Sequence, residues 1–310
     1  MPPETPHIAI LLATYNGDRF LTEQLDSIAA QSYRNWSLWI SDDGSSDQTR
    51  ACVAAFQNRH PDRQITILDG PRKGSFVNFF GLIRRPEIQA DLFALADQDD
   101  VWLPEKLARA VAALSPVAPD QPALYGSRTI IVDASLRKTG LSPLFRSAPS
   151  FDNALVQSIA GGNTMVFNAA TRKLARACAP EIVAVTHDWW LYLLVSGAGG
   201  TVVYDPLPGL LYRQHADNLI GSNKGIQAMR MRMFAVLGGR FRDWNAVNLA
   251  ALEQCRDLLT ADSRESLAKL HQLRGKRGLA GLFFLWRSGL RRQTAIGNLF
   301  LAAAVFLGKI

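Results

Sequence analysis

Cysteine is scarce in this chain. There are three in 310 residues, Cys52, Cys178 and Cys255, and no two form a CxxC pair. Three scattered thiols are too few for a disulfide framework and wrongly spaced for a zinc site, so a reducing, cytosolic setting is expected. The opening MPPETPHIAI lacks a basic stretch leading into a long apolar run, so no signal peptide is expected. Glycine-rich phosphate loops are also missing: neither GxxxxGK(S/T) nor GxGxxG follows the first apolar run. There is no fixed-period repeat and no low-complexity tract. What is present is a globular balance, with 48% hydrophobic and 20% charged residues. That excludes collagen-like and disordered classes and leaves one large or two average domains.

Acidic residues are nearly absent from the end of the chain. Thirty-four Lys/Arg against 27 Asp/Glu leave +7 overall. Residues 264–310 hold nine Lys/Arg and one acid, Glu265, a net +8, which leaves the first 263 residues near −1. A near-neutral body with a basic tail gives the tail a job of its own.

The first third alternates two patterns. Short apolar, β-forming runs occur at 7–13, 36–41, 65–69 and 91–96, separated by helical stretches at 19–31, 47–59, 76–84 and 104–114. Near-continuous apolar strands alternating with amphipathic helices predict an α/β fold with a parallel sheet covered on both faces. Such sheets bind ligands at the strand carboxyl ends. The turns there are Thr14-Tyr15-Asn16-Gly17, Asp42-Asp43-Gly44, Gly70–Gly74 and Asp97-Gln98-Asp99-Asp100. Strands are expected at 123–132, 164–167 and 201–204, a helix near 188–195, and helices beyond 226.

Two of those turns are acidic. Three acids in four residues repel one another unless a cation or hydrogen bonds neutralise them. Oxygen ligands suit Mg²⁺ or Mn²⁺, which commonly bridge carboxylates to substrate phosphates. A plain polar turn with an Asp helix cap is the competing reading. A carboxylate in the Asp42-Asp43 turn could accept a hydrogen bond from a pyrimidine imide and select uracil or thymine. Without a glycine-rich cradle, phosphates need another source of positive charge, and a metal on Asp99 would supply it.

The runs LLATYNGDRFLTEQLDSIAAQSYRNWSLWISDDGSSDQT and ALADQDDVWLPEKL resemble glycosyltransferase family 2, inverting nucleotide-sugar enzymes with the GT-A fold. The resemblance covers about 1–225 and implies a GT-A domain there, followed by a helical C-terminal extension over 226–310. It implies a nucleotide pocket at Ala13, Thr14, Tyr15, Asn16 and Asp43. It maps the Asp-x-Asp motif onto Asp97-Gln98-Asp99, with Asp99 as the direct metal ligand. The segment Lys73-Gly74-Ser75 through Asn78 resembles the third nucleotide-side loop, although Val77 stands where many members have a basic residue.

Inverting transfer needs a base away from the metal cluster, because a hydroxyl is a poor nucleophile until it loses its proton. Asp188, in Thr186-His187-Asp188-Trp189-Trp190, is the candidate. The bulky Trp189 and Trp190 beside it could shield it and offer a sugar-stacking face, and in the family an Asp opens this helix as base. The competing reading makes Asp188 a helix cap and the tryptophans core. Paired glycines let a backbone approach a ligand closely, and the family places the Gly162-Asn163 segment beside donor sugar and acceptor. In Tyr212-Arg213-Gln214-His215, followed by Asn218 and Gly221, a neutral imidazole can complete a carboxylate–metal site and Arg213 can pair with a diphosphate. This string closely resembles the family's rhamnosyltransferases. It implies dTDP-L-rhamnose as donor, a glycan or lipid-linked acceptor, and His215 with Asp99 and Asp97 as metal residues. The alternatives are a UDP-hexose donor or a non-catalytic nucleotide-sugar binder.

The tail ends in an uncharged stretch, Gln293–Gly308, of 16 residues, short of the ~20 a membrane span needs. With Trp286 and flanking cations it predicts a helix lying on an anionic membrane, hence a peripheral protein on the inner face of the cytoplasmic membrane. A helical pair packed on the body, or on a second subunit as a homo-oligomer, is the competing expectation. Nucleic acid is not expected as a partner, because the tail lacks aromatics interleaved on a sheet.

Overall fold

The computed structural model describes residues 5–215 and 239–310. Asn218, Gly221 and the expected boundary near 225 lie outside the described residues.

Strand β1 (Ile8–Thr14) is buried except at the half-buried Ala13, and its side chains divide between two cores. Ile8, Ile10 and Leu12 enter one, Ala9 and Leu11 the other. That is what a period-2 strand does when both faces of its sheet are covered. It pairs in parallel with β2 (Trp36–Asp42) and β4 (Leu92–Ala96), and β2 pairs in parallel with β3 (Ile65–Asp69). Helices α1 (Asp18–Ala29), α2 (Thr49–Arg59), α3 (Ser75–Arg84) and α4 (Lys106–Leu114) make the crossovers.

Beyond β4 the sheet becomes mixed. The order is β3-β2-β1-β4-β8-β6-β9-β5, with β7 (Lys138–Leu141) paired to β6 (Ala123–Val132). Strand β8 (Val166–Asn168) runs antiparallel to β4 and β6. Strand β9 spans Thr201–Arg213, far longer than the expected 201–204. Its partners decide this: it lies parallel to β6 along most of its length and takes the two-residue β5 (Val101–Trp102) on its other side. Short β5 and β7 and helices α5 (Phe151–Ala154) and α6 (Ala169–Ala177) were not legible as separate elements in the sequence.

Helix α7 (His187–Gly197) is the central helix of one face, with every residue from Trp189 to Val195 buried. Its apolar character all round follows from packing on the sheet below and on later helices above. The later helices are α8 (Arg240–Gln254), α9 (Ala261–Arg274), α10 (Gly278–Ser288) and α11 (Ala295–Phe306). Leu249, Leu252, Leu267, Leu270, Leu273, Leu301 and Val305 share one core with α7 and that sheet face. The described helical extension is therefore fused to the α/β body through a common interior.

Candidate active site

Registry aligns the carboxyl ends of the parallel strands. Thr14 lies beside Asp42, Asp42 beside Asp69, and Leu12 beside Ala96, so the four polar turns leave from one edge.

The first turn is stapled to the fourth by Gln98. The Thr14 hydroxyl donates to Gln98 Oε1 at 2.7 Å, the Tyr15 amide donates to the same oxygen at 2.8 Å, and Gln98 Nε2 donates to the Tyr15 carbonyl at 3.1 Å. Asn16 sits at φ 46°, a left-handed conformation that Asn tolerates. Its amide donates to Ser45 Oγ and its Oδ1 accepts from the Ser46 amide, both at 2.9 Å. This holds the Tyr15 ring out at the rim, 57% exposed. Ala13 lies partly buried beneath it.

The Asp42-Asp43 turn spends its carboxylates on the chain. Asp43 accepts from the amides of Arg72 at 2.6 Å and Gly74 at 2.9 Å, and its own amide donates to the Thr14 carbonyl at 2.8 Å. Asp42 accepts from Arg50 Nε at 2.6 Å and from the Ser45 amide at 3.2 Å. Gly74, at φ 85°, makes the left-handed step into α3 that a side chain would strain. Asn78 differs from expectation. It is buried beneath the turn, accepts from Ser41 Oγ and donates to the Ser41 carbonyl at 3.0 Å. Position 78 lies on the inward face of α3, so its amide ties α3 to β2.

The Asp97–Asp100 turn is built differently. Burial, then the charges of Asp99 and Asp188, push the Asp97 carboxyl up to about 7, with Lys106 pulling the other way. Asp100 is fully buried. It accepts from Asn163 Nδ2 at 2.6 Å, while its Oδ1 has no hydrogen-bond partner among the described residues. Burial and the Asp97 and Asp99 charges raise its carboxyl well above the usual range. Asp99 Oδ2 meets His215 Nε2 at 2.7 Å. This puts the end of the Tyr212–His215 string against the acidic turn, because β9 runs on to Arg213 and lays it there.

Arg213 departs from the expected diphosphate partner. It is 1% exposed, donates through Nε to the Asp99 carbonyl at 2.9 Å and through Nη1 to the Ala134 carbonyl at 2.6 Å, and pairs with Glu23. Its guanidinium also covers the Phe20 ring at 4.3 Å. It clamps the backbone of the acidic turn from below.

Asp188 lies in the first turn of α7 and accepts from the Trp189 amide at 2.8 Å, a favourable place for a carboxylate. The start of α7 adjoins the acidic turn through one segment, since Gly162 lies against His187 and Asn163 donates to Asp100 at 2.6 Å. The tryptophans do not form a sugar platform. Trp189 and Trp190 are 6% and 0% exposed, and Trp189 Nε1 donates to the Ala154 carbonyl at 2.7 Å. Helix α7 is buried on all sides, so both rings are core. Gly162 and Asn163 are likewise interior. Asn163 fixes Asp100, and a Cβ on Gly162 would stand 2.1 Å from His187 Nε2, so Gly162 makes room for the imidazole. His187 stacks on Phe79 at 4.1 Å, and burial lowers its pKa against the opposing charge of Asp188.

Among the described residues, no group of three His, Cys, Asp or Glu side chains forms a metal-holding cluster. The donor set does fit a hard cation of the Mg²⁺ or Mn²⁺ kind, which takes one or two protein ligands and completes its shell from substrate phosphates and water. A carboxylate and an imidazole already converge at Asp99 and His215. The raised Asp97 and half-satisfied Asp100 record uncompensated negative charge beside them.

Lys106 was missed by sequence reasoning. It is fully buried, its Nζ sits 3.4 Å over the Trp102 ring, and burial lowers its pKa to about 7 against the pull of Asp100 and Asp97. The available signal was its position on the buried face of α4, shared with Ala110 and Leu114. Glu23 carried no comparable signal, because its partner stands 190 residues away.

Comparison with known proteins agrees with this geometry. The model of the family described as Glycosyl transferase family 2 matches residues 9–173. The chain is 32% identical over 241 residues to a dTDP-rhamnosyl transferase, RfbG, of Shigella flexneri, spanning 74% of this chain and 81% of that protein. Among solved structures it resembles S. aureus TarS 1-349 in complex with UDP-GlcNAc, at TM-score 0.57 and 14% identity over 98% of this chain and 89% of that one. It also resembles the mannosyltransferase PcManGT of Pyrobaculum calidifontis in complex with GDP-Man and Mn²⁺, at TM-score 0.54 and 16% identity, covering 99% and 88%. These two likenesses establish the GT-A fold, and with the family match and the long sequence similarity they lead to one statement: this chain belongs to glycosyl transferase family 2.

Proposed function

We propose that the chain is an inverting rhamnosyltransferase, moving L-rhamnose from dTDP-β-L-rhamnose to a hydroxyl of a polysaccharide or of a lipid-linked glycan precursor. The similarity to the Shigella dTDP-rhamnosyl transferase supports the donor. The observation that supports the chemistry is the Gly162-Asn163 segment, which packs on His187 at the start of α7 and bonds Asp100 at 2.6 Å, so Asp188 opens a helix that adjoins the acidic turn.

Asp188 takes the proton of the acceptor hydroxyl as that oxygen bonds to the anomeric carbon. The bond from that carbon to the diphosphate breaks on the opposite face, its electron pair leaves with dTDP, and β becomes α. Asp99 and His215, with Asp97 alongside, are the residues that would hold Mg²⁺ or Mn²⁺, which when bound supplies positive charge to the departing diphosphate. Arg213 and Gln98 hold the turn that carries these ligands. The Ala13–Asn16 turn and Asp43 line the nucleotide side, where Tyr15 offers an open ring and Asp43 an acceptor for the base imide. The interior residues Asn78, Gly162, Asn163, Trp189 and Trp190 act by shaping this site from beneath.

The test is Asp188→Asn, assayed with dTDP-L-rhamnose and with UDP-hexoses. Donor affinity should stay within about threefold while transfer falls by about 10²–10⁴. Full turnover in that variant would remove Asp188 as base. Stabilisation by a UDP-hexose and not by dTDP-L-rhamnose would remove the donor assignment.

A further inference from the structure

Helices α10 and α11 each turn an apolar stripe away from the protein. On α10, Leu279, Phe283 and Trp286 follow at helical spacing and are 79%, 53% and 80% exposed. On α11, Ile296, Leu299 and Phe306 do the same at 61%, 70% and 47%. The opposite faces are spoken for, since Leu301, Ala304 and Val305 are in the core and a Cβ on Gly281 would meet Val305 at 2.9 Å. The two helices are thus anchored side by side, each with an apolar stripe left exposed. Isolated exposed apolar residues need no explanation, but two periodic stripes on adjoining helices do.

Charge decides between the candidate coverings. Residues 275–310 hold six Lys/Arg, at 276, 277, 287, 291, 292 and 309, and no Asp or Glu. Arg287 rides over Phe283 at 5.7 Å, so a cation borders the stripe itself, and Lys276 lies over the neighbouring, half-buried Phe284 at 5.2 Å. A second copy docked on the same patch would set a segment of net charge +6 against its own like charge. An anionic lipid surface would meet apolar bulk with acyl chains and the cations with headgroups. The helices have 11 and 12 residues, about 16–18 Å at 1.5 Å per residue, against a hydrocarbon core of about 30 Å. No described helix is long and apolar enough to cross a membrane, so these would lie in the interface.

We propose that the α10–α11 face is a docking surface for an anionic phospholipid bilayer, with Trp286 and Leu299 inserted and the bordering cations on headgroups. The proposal rests on the C-terminal helices and stands whether or not the rhamnosyl reading does.

The test is co-sedimentation of the full chain with phosphatidylcholine vesicles, with and without about one third phosphatidylglycerol. Wild-type protein should pellet with the anionic vesicles and far less with the neutral ones. Leu279→Ser/Trp286→Ser/Leu299→Ser keeps the charge and should cut vesicle partitioning at least tenfold, with the melting temperature as the folding control. Arg287→Glu/Arg291→Glu should abolish the preference for anionic vesicles. Undiminished pelleting of the serine variant would overturn the proposal, and so would equal binding of wild type to both vesicles. So would a wild-type dimer, without vesicle binding, that the serine variant turns into a monomer; that result would give the face to a second copy.

Discussion

Two acidic turns at neighbouring strand ends share a composition and not a fate. At Asp42-Asp43, backbone amides and Arg50 meet the carboxylates, and the turn is complete as protein. At Asp97–Asp100, the described neighbours leave Asp97 raised to about 7 and Asp100 with an unpartnered oxygen, and Lys106, the cation that pulls Asp97 down, is itself desolvated. A folded chain keeps uncompensated buried charge where something else completes it, and such perturbed groups gather at functional sites. In the function proposed above, the first turn is architecture that can also touch a base, and the second is the reactive edge.

Replacing the two turns should therefore give different losses. Asp99→Ala should lower transfer by about 10³ or more, the scale of losing several kcal/mol of charge stabilisation, with little change in melting temperature. Steady-state assays and a thermal melt separate the two effects. Asp43→Ala should act on the fold as well. Two backbone amides lose their acceptor, which costs about 2–3 kcal/mol in denaturant unfolding, together with weaker dTDP binding. Equal stability loss in both variants would erase the contrast.

The pH dependence sharpens it further. A carboxyl raised in the fold binds protons that the unfolded chain has released, so its contribution to stability is present at low pH and lost as pH rises from about 4 to 7. Metal-free protein should lose stability across that window, and Asp97→Asn should flatten the profile. Mn²⁺ should raise the melting temperature more at pH 7.5 than at 5.5. Lys106, held down to about 7, acts above this window. The smallest effect is expected from Lys106→Met, which removes the one influence pulling Asp97 down and should move the midpoint of the pH profile upward.

Much of this was legible in the sequence. The apolar runs and their turns mark β1 to β4, because strands buried on both faces carry a strong, local signal. The motifs near 14, 43, 97, 188 and 213 lead to one edge of the sheet. Direction was harder to read. Trp189, Trp190 and Asn163 neighbour the site in sequence yet face inward, since α7 is wrapped on every side and Asn163 is committed to Asp100. Arg213 looks like an anion partner by residue type, and only the fold shows Glu23 and two carbonyls taking its donors. The length of β9 escaped for the same reason: its pairing with β6 and β5 is non-local.

Mn²⁺ binding in the presence of dTDP, followed by electron paramagnetic resonance on wild type and Asp99→Ala, tests the reactive edge most directly. Saturable binding by wild type, weakened at least about tenfold by the substitution, is the result expected of a carboxylate that ligates the ion. Manganese binding that is undiminished in Asp99→Ala would contradict it.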